Sequence, residues 1–431
     1  MEATLIGFVG VLIIALIGVP LGFAMMGVGF VGFVLLRGWT PSIHMVGQQV
    51  LDLSTSISFS VLPLFILMGV FVARAALSED LYNACNAWFG HRRGGLAIAT
   101  VVACGGFAAV SGSSVATAAT MAKVAIPSMR RFKYDDGLAA GTVAAGGTMG
   151  ILIPPSAALI IYGVLTEEDI AKLFMGGIVP GVITIILYMA VIDVVIRFRP
   201  QWGPPGDRAS WAERWLLLKK IWGVLALFLL IIGGIFFGVF TPTEAGGIGA
   251  AGALIFALAR RKLSWLNFCG SLVEAGRTTA QVFVVAFGAL VLNQFVNFAG
   301  LPKEIVGFIE GLDISPHASM LVIFAIYIVL GMFVKGVSMI FLTVPIFVPV
   351  VSALGFDLIW FGVVLVIVVE ISLITPPIGL NVFVLKSMLP DVSLGAIYRG
   401  IMPFFFVDLV RLALVVIFPG LVLYLPTLMG P

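Results

Sequence analysis

Polar residues interrupt this chain at wide intervals, and the apolar runs between them define its elements. Residues 5–36 form one run with Pro20 near its middle. A membrane-spanning helix needs roughly 20 residues, so two compact helices turning near Pro20 are expected. Residues 37–59 read as a mixed connector at a membrane interface, 61–76 as the next span, and 78–93 as a loop ending in His91-Arg92-Arg93. Residues 96–129 lie between Arg92-Arg93 and Arg130-Arg131-Phe132-Lys133. Equal basic flanks place both ends on one side of the membrane. With Ser111-Gly112-Ser113-Ser114 at its centre, the segment predicts a re-entrant hairpin whose tip presents carbonyls and hydroxyls. Residues 138–165 are apolar but contain Pro154-Pro155. Neither proline donates a backbone hydrogen bond, and the second cannot follow the first inside an intact helix. Two half-helices with an unwound joint at 153–156 are predicted, followed by a returning span at 173–196 and a polar linker at 197–220.

The pattern then recurs. Pro20 and Pro242, Pro127 and Pro349, Pro154 and Pro376, and Pro155 and Pro377 are all separated by one and the same interval, in a chain with 22 prolines. The second half predicts helices at 222–240, 244–258 and 281–299, then a hairpin over 319–352 with its tip around Val334-Lys335-Gly336-Val337-Ser338. A broken helix over 359–388, with its joint at Thr375-Pro376-Pro377, and a last span at 401–425 complete it. The expected fold is an all-α integral membrane protein made of two repeats, 1–196 and 221–431, joined by the cytoplasmic linker 197–220. Five crossings and one hairpin per repeat is an odd count, so the second repeat is expected inverted, with both termini external.

Composition agrees with the pattern: 61% of the 431 residues are hydrophobic and 10% are charged, against about 25% charged in soluble proteins. No short apolar segment with a cleavage site precedes the first run, so residues 1–36 are not expected to be a removable signal. The three cysteines, Cys85, Cys104 and Cys269, read as small buried hydrophobes, and His44, His91 and His317 have no metal-ligand spacing. Basic residues in the linker are the cytoplasmic charge of a membrane protein and carry no indication of nucleic-acid binding.

Four special segments, two hairpin tips and two joints, are expected to meet near mid-membrane. Ser, Gly and Pro also occur in membrane helices as packing and kinking residues. Their symmetric placement by a repeat favours a site. Unwound carbonyls and hydroxyls suit Na⁺, and half-helix N-termini favour carboxylates, so a cation-coupled carrier of anions is expected. Lys335 at the second tip is expected to neutralise a substrate carboxylate or to occupy a cation position. Asn381, one turn past the second joint, is a candidate substrate contact. Glu244 reads as a helix cap. Glu370 reads either as buried beside the joint or as paired with a lysine. A stand-alone ion/dicarboxylate symporter or antiporter is the alternative. An intramembrane enzyme is more distant, because no His/Asp/Glu metal spacing appears and Ser111-Gly112-Ser113 has no histidine base nearby in sequence. A channel is disfavoured because alternating access accounts better for an inverted repeat.

Five stretches resemble one family across the whole chain: SGSSVATAATMAKVAIPSM (111–129), GGTMGILIPPS (146–156), FTPTEAGGIGA (240–250), LTVPIFVPV (342–350) and ITPPIGLNVFV (374–384). They resemble the large, DctM-like membrane subunit of tripartite ATP-independent periplasmic (TRAP) transporters. The resemblance implies a Na⁺-driven importer of organic acids in the bacterial inner membrane, with no cofactor beyond the coupling ion. It implies two protein partners, a small four-helix membrane subunit and a soluble periplasmic substrate-binding protein, and an elevator motion of the hairpins and broken helices against a scaffold. Carried over by position, the Na⁺-binding tips would be Ser111, Gly112, Ser113 and Ser114 with Gly336, Val337 and Ser338. Joint oxygens would come from Gly147, Ile153, Pro154, Thr375 and Pro376. Candidate substrate contacts are Ser114, Ser156, Lys335, Ser338 and Asn381. The family often has an acidic residue where this chain has Lys335.

Overall fold

The computed structural model describes residues 2–75, 77–311 and 314–429. The first half contains α1 (Glu2–Leu16), α2 (Leu21–Arg37), α3 (Trp39–Thr55), α4 (Val61–Arg74), α5 (Leu77–Phe89), α6 (Gly95–Ser111), α7 (Ser114–Arg131), α8 (Asp136–Thr148), α9 (Ala157–Thr166) and α10 (Ile170–Phe198). A linker helix, α11 (Trp211–Lys220), follows. The second half contains α12 (Trp222–Phe236), α13 (Pro242–Ala259), α14 (Trp265–Phe298), α15 (Leu301–Gly311), α16 (Pro316–Gly331), α17 (Gly336–Ala353), α18 (Leu358–Ile374), α19 (Leu380–Met388), α20 (Leu394–Ile417) and α21 (Gly420–Leu428). No strand occurs among the described residues.

Local chemistry sets the boundaries. Pro20 stands at the N-cap of α2 and separates it from α1. Thr241 and Glu244 form a reciprocal capping box at the start of α13, so Glu244 is the cap its sequence context indicates. Asp135, Ser156, Asp169, Ser264, Asp357 and Ser393 each accept a backbone N–H at a helix start.

Three expectations need correction. Residues 78–93 are not a loop: α5 occupies most of them, with Leu77, Leu81 and Ala84 buried and Glu79 and Asp80 in its first turn. Its charges line one face of an amphipathic helix, and on a hydropathy scale they mask it. The predicted helix at 281–299 is the C-terminal part of α14, which begins well before it at Trp265, behind the Ser264 cap. The last span ends at Ile417, and the chain turns at Pro419 into the separate helix α21. Six helices among the described residues are long and apolar enough to cross a membrane, or seven with the bent α11–α12 pair. The count falls short of ten because α1, α2, α9 and α18 are shorter apolar pieces.

Helix order recurs at the proline spacing: the starts of α7 and α17 are separated by that same interval, as are those of α8 and α18. Contacts between the halves come in reciprocal pairs. Helix α2 packs on α14 while α13 packs on α4, α8 packs on α20 while α18 packs on α10, and α7 packs on α19 while α17 packs on α9. Each pairing thus has its counterpart one repeat interval away. Without a hydrophobic drive between helices in lipid, small residues bring backbones together. A Cβ on Gly288 of α14 would collide with the Gly22 carbonyl of α2, and one on Gly400 of α20 would collide with the Gly137 carbonyl of α8.

Candidate ion and solute site

The first hairpin turns at Gly112, whose φ of +61° lies in the left-handed region that only glycine adopts freely. Ser113 then caps α7, its Oγ accepting from the Ala116 amide at 3.4 Å. The Ser111 and Thr117 hydroxyls are 2.6 Å apart, and the Ser113 amide donates to Ser111 Oγ at 3.3 Å. Ser114 is buried at the start of α7.

The tip lies against the first joint. Helix α8 ends at Thr148, a single 3₁₀ turn spans Met149–Ile151, and the Pro154–Pro155 bond is cis. Ser156 caps α9 by accepting from the Leu159 amide at 3.3 Å, while its own hydroxyl donates to the Ile151 carbonyl. The unwound stretch is thus wider than 153–156 and includes the 3₁₀ turn. A Cβ on Gly112 would be 3.1 Å from the Pro155 carbonyl oxygen. One on Gly150 would be 2.5 Å from the Ser113 carbonyl oxygen and 2.7 Å from Thr117 Oγ1. Gly147 meets Ala118 of α7 in the same way, at 2.6 Å. Backbone therefore meets backbone, and the Ser111, Ser113, Thr117 and Pro155 oxygens share a small volume. Ile153, Pro154 and Ser156 are buried beside it.

The second joint is built alike but stands open. Helix α18 ends at Ile374, the Thr375 hydroxyl donates to the Ile371 carbonyl at 2.5 Å, and the Pro376–Pro377 bond is cis. Pro376, Pro377 and Ile378 are exposed. The Tyr398 hydroxyl of α20 reaches the Pro377 and Ile378 carbonyls, 2.9 Å from each. The second tip packs on α18 before the joint: a Cβ on Gly336 would meet Val369 Cγ1 at 2.6 Å, and one on Gly331 would collide with Ser372 Oγ. Lys335 is exposed at the N-cap of α17, Val337 is half-buried, and Ser338 is buried. Backbone oxygens not tied to helix hydrogen bonds need cover from protein or water in a membrane, and Tyr398 gives that cover to two of them.

Asn381 is placed differently from a free substrate contact. It is fully buried, and its Nδ2 donates to the Ala144 carbonyl of α8 at 3.1 Å, fastening the second broken helix to the first. Its Oδ1 has no partner among the described residues. Thr117 and Gly150 belong to the site but were not singled out from the sequence. Thr117 lies within the SGSSVAT stretch, and Gly150 within GGTMGILIPPS.

Glu370 is fully buried in α18, and its partner is an arginine, not a lysine. Arg411 Nη2 of α20 sits 2.9 Å from Glu370 Oε2 and 3.1 Å from Asp408 Oδ1, with all three side chains fully buried. Arg411 Nη1 donates to Thr184 Oγ1 at 2.5 Å, and the Tyr188 hydroxyl donates to Asp408 Oδ2 at 2.7 Å, both from α10. Five polar side chains thus join α10, α18 and α20. Asp408 and Arg411 stand one helical turn apart in an apolar run, a signal that sequence reasoning passed over.

At the periphery Arg130 bridges Asp136 at 2.8 Å and Asp391 at 2.6 Å. It ties the end of the first hairpin to the first broken helix and to the loop behind the second. Among the described residues no group of three or more His, Cys, Asp and Glu side chains is placed to hold a metal ion.

The family profile described as "Tripartite ATP-independent periplasmic transporter, DctM component" matches residues 8–421. The chain is 36% identical to the C4-dicarboxylate TRAP transporter large permease protein DctM of Pseudomonas aeruginosa, over 93% of this chain and 94% of that one. It is 32% identical to the sialic acid TRAP transporter large permease protein SiaM of Vibrio cholerae, over 99% of both. It is also 32% identical to the ectoine/5-hydroxyectoine large permease protein UehC of Ruegeria pomeroyi, over 99% of this chain and 98% of the relative. Among solved structures, the YdaH transporter of Alcanivorax borkumensis superposes with a TM-score of 0.62 at 13% identity, over 97% of this chain and 98% of that one, a likeness of fold alone.

Proposed function

The chain belongs to the DctM component family of tripartite ATP-independent periplasmic transporters, whose members are multi-pass permeases of the bacterial inner membrane and not enzymes, and on that premise we propose that it imports a small carboxylate in symport with Na⁺. The solute belongs to the class its relatives are named for, a C4-dicarboxylate, sialic acid or similar organic acid. A periplasmic binding protein delivers it, and a small four-helix membrane subunit completes the carrier. The observation that carries this reading is the backbone contact of the Gly112-Ser113 tip with the Gly150–Pro155 joint.

The donor set fits the ion. Hydroxyls of Ser111, Thr117 and Thr375 and carbonyls of Ser113 and Pro155 are hard, uncharged oxygens. Carbonyl and hydroxyl ligands suit Na⁺ and do not select transition metals. Na⁺ would supply the charge that draws a carboxylate to the joints. The chain's own part is to hold these oxygens apart from water and to align the amides that open α9 and α19.

One body is the simplest carrier of such a site. Arg130 fastens α7, α8 and the loop before α20, and Asn381 fastens α19 to α8. These ties support an elevator in which hairpins and broken helices travel together against a scaffold that includes α2, α4, α13 and α14. The reciprocal pairing of the halves supports the inverted arrangement.

Uptake of labelled carboxylic acids into proteoliposomes under an inward Na⁺ gradient tests the reading. Uptake is expected only with the small subunit and the binding protein present, and it is expected to vanish when K⁺ replaces Na⁺. Equal uptake by the chain alone would instead identify a stand-alone symporter. In the same assay Lys335→Gln is expected to raise the solute KM at least about ten-fold, the effect of about 1.4 kcal/mol from one charge. An unchanged KM and ion dependence would remove Lys335 from the site.

A further inference from the structure

The buried cluster joining α10, α18 and α20 sets two acids against one base. Glu370 and Asp408 are the two fully buried acids among the described residues, and Arg411 is the one base with them. When both acids are ionised, two carboxylates and one guanidinium sum to one negative charge. Arg411 Nη2 lies between the two acids, 2.9 Å from Glu370 Oε2 and 3.1 Å from Asp408 Oδ1. Asp408 has a further donor in the Tyr188 hydroxyl, whereas neither Glu370 oxygen has a hydrogen-bond donor among the described residues. Arg411 and Asp408 are the charged groups that reach Glu370, and Tyr188 is the other titratable group of the cluster. An excess charge inside a membrane is expensive and marks function.

The ion site has the opposite shortfall. Its ligands are neutral oxygens, the side chain next to the second tip is the cation Lys335, and no acid stands among them. Glu370 lies a little over one turn before Thr375 on α18, about 7.5 Å along the helix axis. We propose that the surplus negative charge of the Glu370–Asp408–Arg411 cluster is the electrostatic counterpart of the Na⁺ at the second joint, and that Glu370 is a positioning residue for that ion. The proposal rests on the Na⁺-coupled reading above. A bound cation makes the protein interior near neutral, and the ion-free site keeps the unbalanced charge.

The test compares Glu370→Gln and Glu370→Asp with wild type in the full three-component system. For a unit charge about 9 Å away at an effective dielectric of about 20, the attraction corresponds to about a ten- to twenty-fold change in affinity. Glu370→Gln leaves Asp408 and Arg411 balanced, so it is expected to fold. Its half-saturating Na⁺ concentration should rise about ten-fold, and its thermal stabilisation by added NaCl, relative to choline chloride, should shrink accordingly. Glu370→Asp keeps the charge and should restore both. A purely packing role would change neither the Na⁺ half-saturation nor the NaCl-dependent part of the thermal shift. If wild-type uptake ignores Na⁺, the symport reading fails. If wild type responds to Na⁺ and Glu370→Gln responds identically, the counter-charge proposal alone is overturned.

Discussion

Gly150→Ala is expected to abolish uptake while the protein still folds. The added Cβ would stand 2.5 Å from the Ser113 carbonyl oxygen and 2.7 Å from Thr117 Oγ1. Atoms do not tolerate that approach, so either the hairpin tip or the first joint must move. Both belong to the backbone, and neither yields as a flexible side chain would. Displacing aligned groups by about 1 Å costs on the order of 100-fold in rate, and uptake under a Na⁺ gradient should fall by that factor or more. Gly247→Ala on α13 is the control, since nothing lies within 4 Å of its Cβ position. The two variants should express alike and unfold at similar temperatures. Normal uptake by Gly150→Ala would show that the tip and joint do not need their present contact.

The second large effect is on stability. Arg411→Met would leave the Glu370 and Asp408 carboxylates buried together with no base. Removing one partner of a buried ion pair typically destabilises by about 3–5 kcal/mol, whereas exchanging the whole set for apolar residues is often neutral. Arg411→Met should therefore unfold well below wild type in a detergent melt. The triple variant Glu370→Leu, Asp408→Leu, Arg411→Leu should recover most of the loss. The triple variant should still transport poorly at low Na⁺, because the charge is gone although the packing has returned. A melt of Arg411→Met that matches wild type would mean that the guanidinium is not what holds α18 to α20.

The hairpins and joints were legible because their signals are local. Consecutive prolines forbid a continuous helix wherever they stand, and Ser111-Gly112-Ser113 between two basic flanks reads as a turn at one depth. The constant proline interval then linked the four segments as two matching tip-and-joint pairs. What escaped depends on partners far along the chain. Glu370 was visible as an intramembrane acid, but Arg411 lies two helices further on, and nothing in the sequence says which acid it would meet. The tie of Asn381 to the Ala144 carbonyl escaped because that partner belongs to the other half of the chain. Helix α5 was hidden by its own charges, and the N-terminal part of α14 by the polar stretch around Glu274 and Arg277.

One asymmetry of helix continuity distinguishes the two halves. In the first repeat α3 and α4 are separate helices, parted at Ser56 and a short 3₁₀ turn, whereas α14 runs unbroken through the corresponding stretch for 34 residues. At 1.5 Å per residue α14 is about 51 Å long, against a hydrocarbon layer of about 30 Å. Two perfectly matched inverted halves would give inward- and outward-facing forms of equal energy, and the carrier would idle evenly between them. A stiff rod on one side and a jointed arm on the other remove that degeneracy. On the proposed elevator the resting preference would lie in the scaffold, and joining α3 to α4, or hinging α14, should shift which face the empty carrier presents.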